Sequence, residues 1–148
     1  MWKILCEKLK VDEEIQKVII EVYKFDKITK VQNIVIKEFL KNKDVIVKSV
    51  TGSGKTLAYI IPIIQRLINY SKENKNYQNE ILVLILLPAR ELAEQVYSEI
   101  LKFISNIKYS FSAQILIGGK KIEDDLTKIR ERIPNIIVAT PGRLINIR

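Results

Sequence analysis

The sequence predicts an α/β fold, a mostly parallel sheet with flanking helices, and three observations predict it. Short apolar runs suited to strands (Val45–Val47, Ile81–Leu87, Phe111–Ile117 and Ile136–Ala139) alternate with longer stretches of helical spacing. The first of these strands leads into a glycine-bearing run, SVTGSGKT (Ser49–Thr56), which leads into a helix. Each strand is followed by a loop, at 48–54, 88–90, 118–120 and 140–143. In a parallel sheet with right-handed crossovers such loops gather on one edge, where these folds bind ligands.

The elements follow in order. Val11, Ile15, Val18, Ile19 and Val22 recur at helical spacing, so a helix is expected over 11–23. Thr29 with Gln32 three residues on has the form of a capping box, opening a helix that runs to about Leu40. Asn42-Lys43-Asp44 is a turn, and Val45–Val47 a short buried strand. A helix starts near Gly54 and reaches about Tyr70; Pro62 inside it is expected to kink it, because proline lacks the amide hydrogen and crowds the preceding turn. Ser71–Glu80 (SKENKNYQNE) is polar and reads as a surface loop. Ile81–Leu87 is continuously apolar, as in a strand buried on both faces, and Pro88 ends it. Arg90–Ser105 is a helix with Leu92, Val96, Ile100 and Phe103 on one face. Strand Phe111–Ile117 ends at Gly118-Gly119, Lys120–Ile133 is an amphipathic helix, and strand Ile136–Ala139 turns out through Thr140-Pro141-Gly142.

The bulk properties narrow the function. The 148 residues suffice for one domain with a real core. A formal charge of +8 and a pI near 9.5 favour an anionic partner, nucleic acid first, although solubility and a bias towards lysine give the same numbers. There is no histidine and one cysteine, Cys6, so the sequence offers no intrachain disulfide, no Cys/His zinc cluster and no Ser-His or Cys-His catalytic pair. A reducing, intracellular setting fits. No apolar run is long enough to span a bilayer, and the start Met1-Trp2-Lys3 does not read as a signal peptide.

The run Ser49–Thr56 carries the chemistry. Strand, glycine turn, Lys-Thr and helix is the physical recipe for a phosphate cradle. Glycines reach backbone conformations closed to other residues and let phosphate approach closely. The amides of Gly52–Lys55 and the helix dipole favour an anion. Lys55 can reach the β- and γ-phosphates, and Thr56 can offer its hydroxyl to Mg²⁺. Ser49 stands where the strict pattern has its first glycine. The alternative is a tight Gly-Ser-Gly turn with a surface lysine.

The whole run, with serine at that place, resembles motif I of the DEAD-box RNA helicases. Other stretches agree in order and spacing. FDKITKVQ (Phe25–Gln32) resembles the Q motif, PARELAEQ (Pro88–Gln95) motif Ia, Gly118-Gly119 the GG motif, and TPGR (Thr140–Arg143) motif Ib. Each is short, but the ordered set is specific and covers nearly the whole chain. The flavour VTGSGKTLAYIIPII is most similar to members that serve large-subunit ribosome assembly.

The resemblance implies a RecA-like P-loop NTPase fold with ATP and Mg²⁺ as cofactors. Phe25, Thr29, Gln32, Thr51, Gly52, Ser53, Gly54, Lys55 and Thr56 would form the nucleotide site, with Lys55 and Thr56 serving catalysis and Thr56 reaching Mg²⁺ through the nucleotide. Gln32 can meet the adenine edge with both a donor and an acceptor, and Phe25 offers a stacking face; alternatively Gln32 merely caps its helix and Phe25 is core. Pro88, Ala89, Arg90, Gly118, Gly119, Thr140, Pro141, Gly142 and Arg143 would contact RNA backbone, which carries no sequence information. The alternatives are turn chemistry for the glycines and prolines and a structural ion pair for Arg90. Arg143 is the first candidate for direct phosphate contact.

The chain departs from the family pattern at Ala89, where motif Ia usually has threonine, and at Ile28 and Lys30 around Thr29, where proline is usual. Trp2 corresponds to the upstream aromatic of the Q motif at a longer spacing from Phe25. The D-E-A-D box, the S-A-T motif and the second RecA-like domain fall outside the sequence, and Asp124-Asp125, on an amphipathic helix, is no substitute. Residues 1–148 are therefore expected to be a partial N-terminal RecA-like domain, with 71–80 a surface loop. The parent enzyme would unwind short RNA duplexes with ATP, in the nucleus, nucleolus or cytoplasm, closing on a second RecA-like domain as its partner. The isolated stretch would bind nucleotide weakly or not at all and hydrolyse it negligibly. Other readings are a DExH-type helicase or translocase, a non-catalytic RNA-binding scaffold, and a generic basic domain.

Overall fold

A computed structural model describes residues 2–147. The backbone divides into two compact units: Met1–Tyr70 with Asn106–Lys108, and Ser71–Ser105 with Tyr109–Arg148.

The first unit is helical. Helix α1 (Trp2–Leu9) packs against α2 (Glu13–Lys17) and α3 (Lys30–Leu40). The sequence pattern did not single out α1, although Trp2, Leu5 and Cys6 are buried on its inner side. Asp12 caps α2, its carboxylate accepting from the Glu14 amide at 3.1 Å. The helix expected over 11–23 does not run through: after Lys17 the backbone widens into a π-turn over Val18–Val22, where the Tyr23 amide donates to the Val18 carbonyl (3.1 Å). Lys24, at φ 54°, then reverses the chain. Ile15, Val18 and Ile19 stay fully buried, so the apolar spacing is honoured even where the helix type changes.

Helix α4 (Lys55–Glu73) buries Ile60, Ile61, Ile64 and Ile68. Pro62 lies within it and the helical run continues on both sides. The missing proline amide leaves the Ala58 carbonyl without its usual donor one turn on. Gln65, buried on α4, accepts from the Asp12 amide at 2.6 Å and donates to Asn69 at 2.8 Å, joining α4 to the start of α2.

Val45–Val47 is not a strand, contrary to the sequence pattern. Ile46 is wholly exposed, and Val50 nearly so. Three β-branched residues favour extended backbone, but a strand exists only when its amides and carbonyls find a neighbouring ladder. Among the described residues none pairs with this segment.

The second unit holds the sheet, in the order β1-β3-β2, all parallel. β3 (Ile136–Ala139) is central and buried throughout; β1 (Val83–Leu86) and β2 (Ala113–Leu116) flank it. The expectation that the 81–87 run is covered on both faces is not met: Leu84 and Leu86 are half exposed and alternate with the half-buried Val83 and Ile85, so only one face of β1 is packed. Helix α5 (Arg90–Ile104) lies against β2 and β3 and buries Ala93, Val96, Ile100 and Phe103; Leu92 points outward. Helices α6 (Ile122–Glu131) and α7 (Pro141–Ile145) complete the unit. Ile129, Leu144 and Ile147 pack on Leu116, Ile137 and Ala139.

Ser71–Glu80 is more ordered than its composition implies. It takes in the last residues of α4 and a 3₁₀ turn at Tyr77–Asn79. Asn135, fully buried at the head of β3, pins the stretch: its amide nitrogen donates to the Tyr77 (2.6 Å) and Glu80 (3.1 Å) carbonyls, and its oxygen accepts from the Ser112 amide. The Tyr77 ring meets Phe111 edge-on at 5.4 Å.

Leu86, Ala139 and Leu116 are register partners, so the loops after β1, β3 and β2 leave the sheet at one level and on one edge. The 48–54 loop follows no strand and belongs to the first unit. No helix among the described residues is long and apolar enough to cross a membrane.

Candidate nucleotide loop and strand-end surface

The glycine loop is shaped by backbone conformation. Gly52 (φ 78°) and Gly54 (φ 88°) both lie in the left-handed region, where a side chain is strained. At Gly54 space is also short: a Cβ there would sit 2.6 Å from Gln32 Nε2. Ser49 and Ser53 join hydroxyls across the loop at 2.7 Å, and Thr51 lies exposed at the turn. Helix α4 begins at Lys55 with no acidic residue in its first turn, so its positive end is uncompensated there.

Lys55 folds back over its own loop. Its Nζ donates to the Ser49 (2.8 Å) and Val50 (2.6 Å) carbonyls. Burial raises the pKa of the Tyr59 phenol, one turn along α4, and the neighbouring Thr56 hydroxyl lowers it in part.

Gln32 takes the capping role weighed for it and adds a contact that the sequence did not suggest. It completes the capping box: Thr29 Oγ1 accepts from the Gln32 amide (3.2 Å), and Gln32 Oε1 accepts from the Thr29 amide (3.0 Å). Its other terminal atom, Nε2, donates to the Gly54 carbonyl at 3.3 Å, so the buried side chain ties the head of α3 to the glycine loop. Phe25 is exposed rather than core, and its ring lies 5.5 Å from that of Tyr23. Trp2 is buried, and its indole nitrogen donates to the Lys27 carbonyl at 3.0 Å, fixing the segment between Phe25 and Thr29. A largely apolar hollow of about 530 Å³ opens beside the loop, lined by Thr29, Val31, Ile34, Val47, Ser49 and Ser53 among others.

On the sheet edge, Pro88, Ala89 and Arg90 are exposed where β1 passes into α5. Ala89 is the N-cap and supplies no side-chain hydrogen bond, the consequence of having no hydroxyl. The Arg90 guanidinium lies over the glycine pair: a Cβ on Gly118 would come within 2.7 Å of Arg90 Nη2, and one on Gly119 (φ 95°) within 3.2 Å of Nη1. Thus the structure joins two stretches that are separate in sequence. Thr140 N-caps α7, but its hydroxyl makes no capping bond; Pro141 and Gly142 are exposed.

Arg143 differs from its expected placement. It is buried, and Nε and Nη2 both donate to Asp125 Oδ2, at 2.9 and 2.8 Å. Asp125, set aside in the sequence as no substitute for catalytic carboxylates, is the partner that sequence reasoning missed. The one available signal was its place on the inward stripe of α6. Among the described residues no cluster of three or more His, Cys, Asp or Glu could hold a metal ion.

A parallel α/β sheet, a strand-end surface and a glycine-lysine-threonine loop opening a long helix define the RecA-like class of P-loop proteins. A family model, DEAD/DEAH box helicase, matches residues 29–148. The chain belongs to the DEAD/DEAH box helicase family. It is 42% identical over 143 residues to an ATP-dependent RNA helicase DDX55 of Xenopus laevis, covering 97% of this chain and 23% of that protein. To the ATP-dependent rRNA helicase SPB4 of Candida glabrata it is 38% identical, covering 86% and 22%. Among solved structures, Mss116p bound to ssRNA and AMP-PNP superposes with a TM-score of 0.85 at 37% identity, covering 99% of this chain and 29% of that one. The yeast DEAD-box splicing factor Prp28 gives 0.79 at 27%, covering 99% and 39%. The chain thus spans about a quarter of the curated relatives it matches.

Proposed function

We propose that this chain is the N-terminal part of the first RecA-like domain of an ATP-dependent RNA helicase, and that the whole protein acts on ribosomal RNA. The observation that carries the nucleotide reading is Gln32 holding the Gly54 carbonyl, which couples the residue expected to read a base to the loop expected to hold phosphate. The substrate class rests on the relatives, one of which is named an rRNA helicase. Such a substrate puts the protein where ribosomes are assembled, the nucleolus first.

The loop fits a polyphosphate. Two left-handed glycines free its amides to point inward, and the uncompensated start of α4 favours an anion. The Lys55 ammonium already rests within the loop on two carbonyl oxygens, so binding exchanges neutral acceptors for charged ones, which form the stronger hydrogen bonds. Thr56 would hold Mg²⁺ together with the nucleotide. The metal, when bound, would neutralise charge on the phosphates. Phe25 and Gln32 would take the base, and Thr29 and Thr51 border the site.

RNA would lie along the strand-end edge. Arg90 supplies charge, while the backbone amides of Gly118, Gly119 and Gly142 and the Thr140 hydroxyl supply neutral donors. Binding of this kind is tolerant of sequence and sensitive to salt. The arginine finger and acidic motif needed to orient water would come from elsewhere in the whole protein, whose second RecA-like domain would close on this one.

The test is ATPase activity of the full-length protein with and without RNA. Lys55→Ala is expected to abolish both ATP binding and RNA-stimulated turnover. A Lys55→Ala protein that binds and hydrolyses ATP like wild type would remove the assignment.

A further inference from the structure

The buried Arg143–Asp125 pair has a consequence for RNA binding, and the inference rests on the RNA reading of residues 140–143 proposed above. We propose that Asp125 is a positioning residue for the RNA-facing segment Thr140–Gly142, and that Arg143 acts by gripping Asp125 rather than by touching phosphate.

Three elements meet at this point. Arg143, on α7, sends Nε and Nη2 to one oxygen of Asp125, on α6. Gln114, on β2, is itself buried and donates from Nε2 to the Asp125 carbonyl at 3.1 Å. The carboxylate is therefore fixed from the sheet through its own backbone, and it fixes α7 in turn. Side chains of Arg143 and Asp125 are only 7% and 4% exposed, so the pair is shut off from solvent and from any ligand that approaches the edge. Breaking one side leaves a buried charge without a partner, which costs more than the pair gains over a neutral core. The arrangement is thus a poor stabiliser and a good register device, because two donors of one planar guanidinium converge on a single buried oxygen and fix where α7 meets α6.

What it registers is a segment that needs placing. α7 is only five residues long, and the Thr140 hydroxyl does not cap it. Thr140 is half-buried, and Pro141 and Gly142 are exposed immediately before the arginine that faces inward. The Thr140 amide is spent on the Leu116 carbonyl (3.1 Å) and Pro141 has none, so the neutral donors left are the Thr140 hydroxyl and the Gly142 amide; they carry no long-range attraction and serve only if set at the correct spot.

The experiment measures binding of a fluorescein-labelled single-stranded poly(U) oligonucleotide to the full-length protein with AMP-PNP, across a salt series, together with thermal unfolding. Asp125→Asn and Arg143→Gln are each expected to weaken binding about ten-fold, the loss of one good hydrogen-bonded contact. The double variant should be no weaker than either single variant, and the slope of log affinity against log salt should stay at the wild-type value. Arg143→Lys, which keeps the charge but not the fork, should also lose affinity, and Asp125→Glu should recover most of it. A salt slope reduced by about 0.7 in Arg143→Gln, with Arg143→Lys and Asp125→Asn binding normally, would assign Arg143 to phosphate and overturn the proposal. Variants that melt earlier but bind RNA like wild type while folded would overturn it as well, leaving a structural pair. A wild-type protein that binds no RNA would instead remove the reading on which the proposal rests.

Discussion

Gln32 donates from Nε2 to the carbonyl oxygen of Gly54, 22 residues further along the chain, while its Oε1 caps α3 through Thr29. One buried amide therefore spans a helix start and a glycine loop. Gln32→Glu separates the two duties. It keeps the acceptor for Thr29 but replaces the donor with an oxygen facing the Gly54 carbonyl. ATP affinity of the full-length protein should fall about ten-fold or more, as for the loss of one hydrogen bond plus repulsion, while the helix cap survives. Titration with a fluorescent ATP analogue and far-UV circular dichroism check both halves.

Gly54 and Gly52 share a left-handed backbone but not a neighbourhood. Gly52→Ala meets no atom within 4 Å, so its cost is the backbone strain alone, about 1–2 kcal/mol. Gly54→Ala adds a clash with Gln32 and should cost more, with ATP binding lost. Denaturant unfolding of the two variants gives the ordering. Equal destabilisation would contradict the close approach of Gln32.

At Gly118 the conflict is with the far end of a flexible side chain. Its backbone is not in the left-handed region, so alanine is allowed there, and Arg90 can swing aside. Gly118→Ala should melt within a few degrees of wild type while RNA affinity falls, because the guanidinium has left its place. Anisotropy titrations against single-stranded RNA measure the loss, and unchanged affinity would detach Arg90 from the RNA surface.

Alkaline pH should weaken the fold. Burial, with Glu7 nearby, lifts the Cys6 thiol from its ordinary 9.0 to about 11. Between those values the unfolded chain gives up a proton that the folded chain keeps, so stability present below pH 9 is lost as pH rises towards 11. Burial raises the pKa of Tyr59 and Tyr97, which act in the same direction. Urea midpoints should decline above pH 9, and Cys6 should resist iodoacetamide at pH 8 until the chain unfolds.

Acid acts on a different group. Hydrogen bonds from Lys41 and Lys43 hold Glu38 down to about 2, so its contribution is complete above its ordinary 4.5 and disappears as pH falls towards 2. The trio is exposed, so the effect should be small and should shrink in 1 M salt. Acid titrations of wild type and Glu38→Gln at two ionic strengths measure it.

What could be read from the sequence was local. The Thr29–Gln32 capping box is an i, i+3 relation within one turn, and it stands as expected. The central strand Ile136–Ala139 was plain from four apolar residues between polar ones. Misjudged features depend on distant partners. Val45–Val47 has the composition of a strand but no ladder among the described residues. The exposure of Leu84 and Leu86 follows from which face of β1 is packed, which distant elements decide and residue type does not. Arg143 turns inward because a carboxylate 18 positions earlier, on another helix, lies in reach. Nothing in a run of Thr-Pro-Gly-Arg announces that.

Trp2 is the only tryptophan in these 148 residues, and it is sealed against the segment that leads to Gln32 by its bond to the Lys27 carbonyl. Nature has thereby installed a dye. An indole held dry and hydrogen-bonded emits at short wavelength, and any rearrangement of residues 25–29 that wets it will shift the spectrum to the red. The chain can report on that segment by its own light, without a label.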